Sequence, residues 1–378
     1  MDLQLQMPFY DIPMRQNETK LSGLRIFFAC SGCGYVDSLQ LYDIADNGIA
    51  HVAATRIGFI GLGNVGGKLA GNLLRHGVDL TVRDLNADLE SEFVAKGAKR
   101  GASPQAIAQA VDIVITCLPS PAASAAVMEQ ADGILAGLTP GKIWVEMSTT
   151  DAAEIIRLAA KVEALGATAM ECPVSGGCHR ADTGNIAIFA GGKRAAFERI
   201  LPTLTILGRK ILHTGELGTA SKLKVLTNYL CTVHLVALAE ALTTAKVAGL
   251  DLNMVYDGVR ISSGNSFVHE TESQVILNGS RDISFTMDLV IKDVGLFDKM
   301  AKDLKVPLEL SPLVLDIFKD GERRYGSREL SPNIIRRLED ACQVRVLGEG
   351  FPAEMRDDEP EGRGYEVVPR GRGIPPVS

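Results

Sequence analysis

A chain of 378 residues, 46% apolar and 22% charged, can bury a core of ordinary size and has room for two folded domains. Its 39 Lys and Arg against 46 Asp and Glu leave a net charge of -7 and no basic face for a phosphate backbone, which points away from nucleic acid. No uninterrupted apolar run reaches the ~18 residues of a membrane span and no stretch has the order of a secretory signal, so a cytoplasmic protein with no membrane partner is expected.

Residues 1–54 show no helical or strand period and read as an unassigned appendage. They contain Asp2, Asp11 and Glu18 and are not Arg-rich, unlike a mitochondrial transit peptide. Cysteines 30, 33, 117, 172, 178, 231 and 342 are scattered along the chain, which suggests reduced thiols. The Cys30–Cys33 pair has metal or redox spacing, but no second pair or His cluster completes a four-ligand zinc site, so no metal is expected.

From 55 to 214 short apolar runs at 57–60, 80–82, 113–117, 143–146 and 186–190 alternate with helical patterns such as 65–76, 87–96 and 151–165. This alternation predicts an α/β domain: a parallel, Rossmann-like sheet covered by helices on both faces. After Gly215 the strand signals vanish, and a prolineless helix is predicted from about 217 to 248. With further helical patterns at 252–260, 291–304 and 312–324 it makes residues 215–342 an all-helical second domain. The tail, 343–378, has Gly348, Gly350, Pro352 and the run Asp357-Asp358-Glu359-Pro360, and is too polar to form a core. It is expected to be disordered or to lie as an arm on another surface, a neighbouring subunit being one candidate.

Gly61-Leu62-Gly63-Asn64-Val65-Gly66 follows the first strand and opens the first helix, in the spacing that binds a dinucleotide. Gly61 suits a tight turn, Gly63 a close approach to pyrophosphate and Gly66 close helix–strand packing, while the helix N-terminus favours the anion. Asp84 ends the second strand near the ~20-residue spacing of a ribose-binding acid, which favours NAD over NADP. Two alternatives stay open here: Arg83 swinging toward a 2′-phosphate, and Asp84 merely capping the next turn.

Two further segments carry chemistry: Glu171-Cys-Pro-Val-Ser175-Gly176-Gly177, and the start of the long helix, where Lys224 and Asn228 stand at i and i+4 on one face. From spacing alone that pair points equally well into an interdomain cleft or to solvent.

With GFIGLGNVG at 58–66, CLPS at 117–120, EMSTTD at 146–151, PVSGG at 173–177, the Lys224/Asn228 helix, SSG at 262–264 and KDVGL at 292–296, residues 55 to 342 resemble the β-hydroxyacid dehydrogenases. The resemblance implies that Lys224 is the catalytic lysine exchanging a proton with the substrate hydroxyl, and that Asn228 helps to hold the substrate. It implies that Ser175, Gly176 and Gly177 bind the substrate carboxylate, that Lys292 stands near the nicotinamide end, and that Leu118, Pro119 and Thr149 contact the cofactor. The reaction implied is reversible NAD-dependent oxidation of a small, 3-hydroxyisobutyrate-like acid. An NADPH-linked reductase of glyoxylate or succinic semialdehyde would use the same residues, and a non-catalytic scaffold would have no need of Lys224.

The chain departs from the family pattern after PVSGG, where Cys178-His179-Arg180 replaces the usual small residues, and at Thr227, which takes the place of the first of two asparagines. His179 and Arg180 would either read a second polar or acidic group of the substrate or face solvent. The long helix is apolar on more than one face, through residues such as Leu230, Val233, Leu235, Val236, Leu238 and Leu242, which predicts a homo-dimer or homo-tetramer.

Overall fold

A computed structural model describes residues 55–371. The Cys30–Cys33 pair and the whole N-terminal appendage lie outside them, and the five described cysteines are free thiols.

The first half alternates strand and helix: β1 (Arg56–Ile60), α1 (Gly66–Arg75), β2 (Asp79–Arg83), α2 (Ala87–Ala95), β3 (Lys99–Arg100), α3 (Pro104–Ala110), β4 (Ile113–Thr116), α4 (Pro121–Glu129), α5 (Ile134–Gly137), β5 (Ile143–Glu146) and α6 (Ala152–Ala164). It continues through β6 (Thr168–Glu171), β7 (Val174–Ser175), α7 (Cys178–Asp182), β8 (Ala187–Gly191), α8 (Arg194–Leu207) and β9 (Lys210–Gly215). Every residue of β4 and β5 is buried, because side chains alternate between two covered faces. Ile113, Ile115 and Val145 join Phe59, Leu69, Leu80 and Phe197 on one face, whereas Val114 and Trp144 join Ile107 and Leu158 on the other.

With β10 (Tyr365–Glu366) at one edge, strand order is β10-β9-β8-β6-β5-β4-β1-β2-β3. β1 pairs in parallel with both β2 and β4, so the chain winds outward one way and then the other from β1. That reversal opens a crevice at the carboxyl ends of β1 and β4, where an open α/β sheet takes its ligand. The expectation of an all-parallel sheet needs one correction: β8 runs antiparallel to β6 and β7. The sequence 172–186 turns through three glycines, Gly176, Gly177 and Gly184, and a five-residue helix, too short for the helical crossover that parallel pairing requires.

The second half is helical: α9 (Thr219–Val247), α10 (Leu252–Arg260), α11 (Phe267–Asn278), α12 (Met287–Asp303), α13 (Leu310–Tyr325), a 3-10 turn (Ser331–Ile335) and α14 (Arg336–Cys342). Leu235, Leu238 and Leu242 of α9 bury against Val290 and Val294 of α12 and Val314 and Phe318 of α13. By length and composition α9 is apolar enough to cross a membrane. In the fold it crosses the domain boundary, packing on β7, β8 and β9 as well as on α10 to α14.

The tail takes the arm form of its two expectations, laid on its own chain, and against expectation part of it joins a core. Val346 is fully buried in the helical core, and Phe351 packs edge-on to Tyr256 with ring centroids 5.1 Å apart. Asn278 donates to the Phe351 carbonyl at 2.8 Å. Further on, β10 (Tyr365–Glu366) adds in parallel to β9, and Arg194 grips Glu366 through both carboxylate oxygens at 2.5 and 2.9 Å. A polar, glycine-rich sequence thus orders itself by backbone and ion-pair bonding to surfaces the two domains already present.

Candidate active site

At the cofactor end, Gly61 has φ +100°, and a Cβ there would run into the Cys117 carbonyl. A Cβ at Gly66 would strike the Gly61 carbonyl, whereas nothing lies within 4 Å of that position at Gly63. Gly61 and Gly66 therefore close the turn and leave the backbone at Gly63 open to a ligand. No side chain caps α1, where Val65 stands at the N-cap; the Gly67 N–H is bonded to the Gly63 carbonyl at 2.8 Å, and the start of the helix is otherwise unobstructed by side-chain acceptors, as an anion site requires.

Asp84 Oδ2 accepts from the Leu62 N–H at 2.6 Å and Oδ1 from the Asn86 N–H at 2.8 Å. The acid thus both braces the glycine turn and caps the one that follows it. Arg83 points elsewhere, donating to the carbonyls of Gly101 and Ala102 at 3.2 and 3.0 Å. Asn64 reaches the helical domain, its amide 3.1 Å from the Ser284 carbonyl.

The loops after β4 and β5 are tied together beside this turn. The Leu118 N–H donates to Ser148 Oγ at 2.7 Å, and Ser148 in turn donates to the buried carboxylate of Glu146, whose pKa burial pushes up. Pro119 follows directly, and the Thr149 carbonyl accepts from Lys292 at 3.3 Å.

Lys224 lies two turns into α9 and is only 7% exposed. Its ammonium donates to Asn228 Oδ1 at 2.7 Å, so the i, i+4 pair does share a face, and that face is turned inward. Asn228 donates onward to Asp293 Oδ2 at 2.5 Å, and Asp293 Oδ1 stands 2.9 Å from the Lys292 ammonium. One chain of contacts, Lys224–Asn228–Asp293–Lys292–Thr149, thus joins α9, α12 and the loop after β5. Burial lowers the Lys224 pKa to about 8; Asp293 opposes that shift and Lys292 adds to it.

Ser175 ends β7, which packs against α9, and the loop beyond it turns through Gly176 and Gly177 at φ +131° and +89°, conformations that favour glycine. His179 is half-buried, its Nδ1 lacks a partner and burial lowers its pKa, so the ring is neutral near pH 7. Arg180 lays its stem along Gly176 and its guanidinium over the Phe267 ring, 5.1 Å from the centroid. Neither residue simply faces solvent.

Three acids gained no role from the sequence. Asp293 sits inside the KDVGL run, yet its work depends on α12 meeting α9, a long-range contact. Glu171 accepts from the Ala220 and Ser221 N–H groups at 2.9 and 3.1 Å and so caps α9, fixing where Lys224 projects. Its place beside PVSGG was a usable signal. Glu272, on α11, is buried with Oε2 unpartnered, and burial pushes its pKa to about 8.

Residues 56–215 match a family model described as the NAD binding domain of 6-phosphogluconate dehydrogenase, and residues 218–338 one described as NAD-binding of NADP-dependent 3-hydroxyisobutyrate dehydrogenase. The chain is 33% identical to the 2-(hydroxymethyl)glutarate dehydrogenase of Eubacterium barkeri over 78% of its own length and 98% of that protein. It is 32% identical to the mitochondrial 3-hydroxyisobutyrate dehydrogenase of Mus musculus over 70% of its length and 81% of that protein. A solved 3-hydroxyisobutyrate dehydrogenase from Salmonella typhimurium superposes with TM-score 0.69 at 30% identity, covering 75% of this chain and 99% of that one. With a doubly wound cofactor crevice facing a buried lysine, these likenesses make the protein an oxidoreductase acting on CH–OH groups and a member of the β-hydroxyacid dehydrogenase family.

Proposed function

We propose that the protein oxidises a small β-hydroxyacid with NAD, using Lys224 as the general base. The observation that carries this is the buried Lys224, its pKa lowered to about 8 and its nitrogen held 2.7 Å from Asn228. A general base serves best when its pKa lies near working pH, and burial brings this lysine there. The open face at Gly63 and the uncapped start of α1 fit a dinucleotide, which when bound supplies the hydride acceptor.

Neutral Lys224 takes the hydroxyl proton and returns it in the reverse direction, and Asn228 steadies the ammonium that forms. Asp293 fixes the amide of Asn228 and balances Lys292, so the cleft keeps one compensated cation and one exchangeable one. Ser175 and the backbone of Gly176 and Gly177 receive the substrate carboxylate, with His179 at the edge of that loop. Lys292, Thr149, Leu118 and Pro119 would hold the nicotinamide end of the dinucleotide, and Gly61 to Gly66 with Asp84 its other half. Asp84, braced by the Leu62 N–H, would accept from the ribose hydroxyls, and Arg83 is bonded to the Gly101 and Ala102 carbonyls rather than free for a 2′-phosphate, which supports NAD over NADP.

The exposed face of α9, including Leu226 and Leu230 at 41% and 52%, joins a second copy in a homo-dimer or homo-tetramer. Assay of C3 to C6 hydroxyacids with each cofactor tests the reading. NAD should exceed NADP by at least about tenfold in kcat/KM, ~1.4 kcal/mol of ribose contacts and phosphate repulsion. Equal use of NADP would remove the role given to Asp84.

A further inference from the structure

Arginine carries five N–H donors, and when half-buried it normally places several of them on acceptors. Arg180 places none: its side chain is 27% exposed, it stacks on Phe267, and no hydrogen bond from its guanidinium is found among the described residues. Its nearest acid, Asp357, stands 4.0 Å away. That carboxylate is already engaged, accepting from Thr183, from Asn185 at 2.7 Å and from the Glu359 N–H at 3.3 Å. Asp357 therefore offsets the charge of Arg180 without satisfying its donors.

The position is as informative as the vacancy of the donors. The stem of Arg180 runs along Gly176, and Phe267 opens α11 of the helical domain, so the guanidinium lies between the two domains beside the loop assigned to the substrate carboxylate. The Gly177 face is closed by His179 and by Met355, which, like Asp357, belongs to the tail. Both tail residues lie beyond the 56–215 and 218–338 spans that match the family models. This chain has thus built an additional wall on the substrate loop and set an unengaged, planar, singly charged fork of donors into it.

We infer that Arg180, stacked on Phe267 and oriented by Asp357, binds a second carboxylate of the substrate, making the preferred substrates β-hydroxy dicarboxylates. The inference rests on the function proposed above. A bidentate guanidinium–carboxylate pair supplies both attraction and direction, which lysine would not reproduce. One carboxylate then sits on Ser175, Gly176 and Gly177, the second on Arg180, and the hydroxyl faces Lys224.

A matched pair of substrates tests this directly. 2-(Hydroxymethyl)glutarate and 3-hydroxyisobutyrate share the same reacting head and differ in carrying a carboxyethyl or a methyl group on the neighbouring carbon. The wild-type protein should favour the diacid in kcat/KM. Arg180→Gln should lower the diacid-to-monoacid ratio by at least about thirtyfold, ~2 kcal/mol at 1.4 kcal/mol per tenfold. Arg180→Lys should restore only part of it. Without any substitution, glutarate should compete with substrate at least about tenfold more tightly than butyrate. A wild-type preference for the monoacid, equal inhibition by the two unreactive acids, or a ratio unmoved by Arg180→Gln would each overturn the role of Arg180. Turnover of monoacids alone would overturn only that role, whereas failure of every hydroxyacid to reduce NAD would overturn the dehydrogenase reading itself.

Discussion

The two ends of the cleft are made of different material. At the cofactor end the working groups are backbone apart from Asp84: Gly61 and Gly66 are glycine because a Cβ would meet a carbonyl, Gly63 leaves its backbone open, and α1 begins without a side-chain cap. At the substrate end they are ionisable side chains, Lys224, Lys292, Asp293 and Arg180, whose behaviour depends on burial and on one another. A backbone-built site is insensitive to pH and tolerates change in its surroundings, because its dipoles are fixed by the fold. A side-chain-built site gains reactivity from desolvation, and it loses function when one charge or its partner is removed.

The largest effect separating the two ends should come from Lys224→Ala. It should cost at least about a hundredfold in kcat, since general acid–base groups contribute 10²–10⁴-fold, while NADH affinity, read by fluorescence titration, stays within a few fold. Normal turnover, or loss of turnover and NADH binding together, would break the division of labour.

Next in size is the truncation of residues 343–378. The tail buries Val346, places Glu366 against Arg194 and supplies Asp357 to the substrate loop, so its loss should lower the melting temperature by at least about 5 °C. Oligomer size by light scattering should not change, because the tail lies on its own chain. A tail bridging subunits would instead alter assembly first.

A smaller, pH-dependent effect is expected at Glu272. Its folded pKa is raised from 4.5 to about 8, so the folded state holds a proton that the unfolded state releases, and stability is lost as pH rises from about 4.5 toward 8. Glu272→Gln should remove that loss. The variant's stability relative to wild type should therefore improve with pH across this window, by an amount of the order of 1–3 kcal/mol between its ends. Urea denaturation at pH 5 and pH 8 measures it; the same difference at both would show that Glu272 does not titrate there.

The same contrast explains what could be read from the sequence. The glycine turn, Asp84 and the Lys224/Asn228 pair were legible because a turn or an i, i+4 spacing is local, and the strands at 113–117 and 143–146 because burial on both faces leaves continuous apolar runs. The helices over Phe267–Asn278 and Arg194–Leu207 were missed: the first buries His269, Glu272 and Ser273 on its inner side, and the second contains Pro202, so neither shows a clean apolar stripe. Asp293 depends on α12 meeting α9. Whether the tail was disordered or an arm could not be read from the sequence, because its order comes from partners such as Asn278, Arg194 and β9 rather than from an apolar pattern of its own.

The pH dependence of kcat/KM for hydroxyacid oxidation tests the central claim most directly, because it reports the free enzyme's essential base. With Lys224 held at about 8 by burial, kcat/KM should rise tenfold per pH unit below pH 8 and level off above it. The limb should vanish from the residual activity of Lys224→Ala. A wild-type profile flat from pH 6 to 10, or a rising limb that survives in the alanine variant, would contradict a buried lysine as the base.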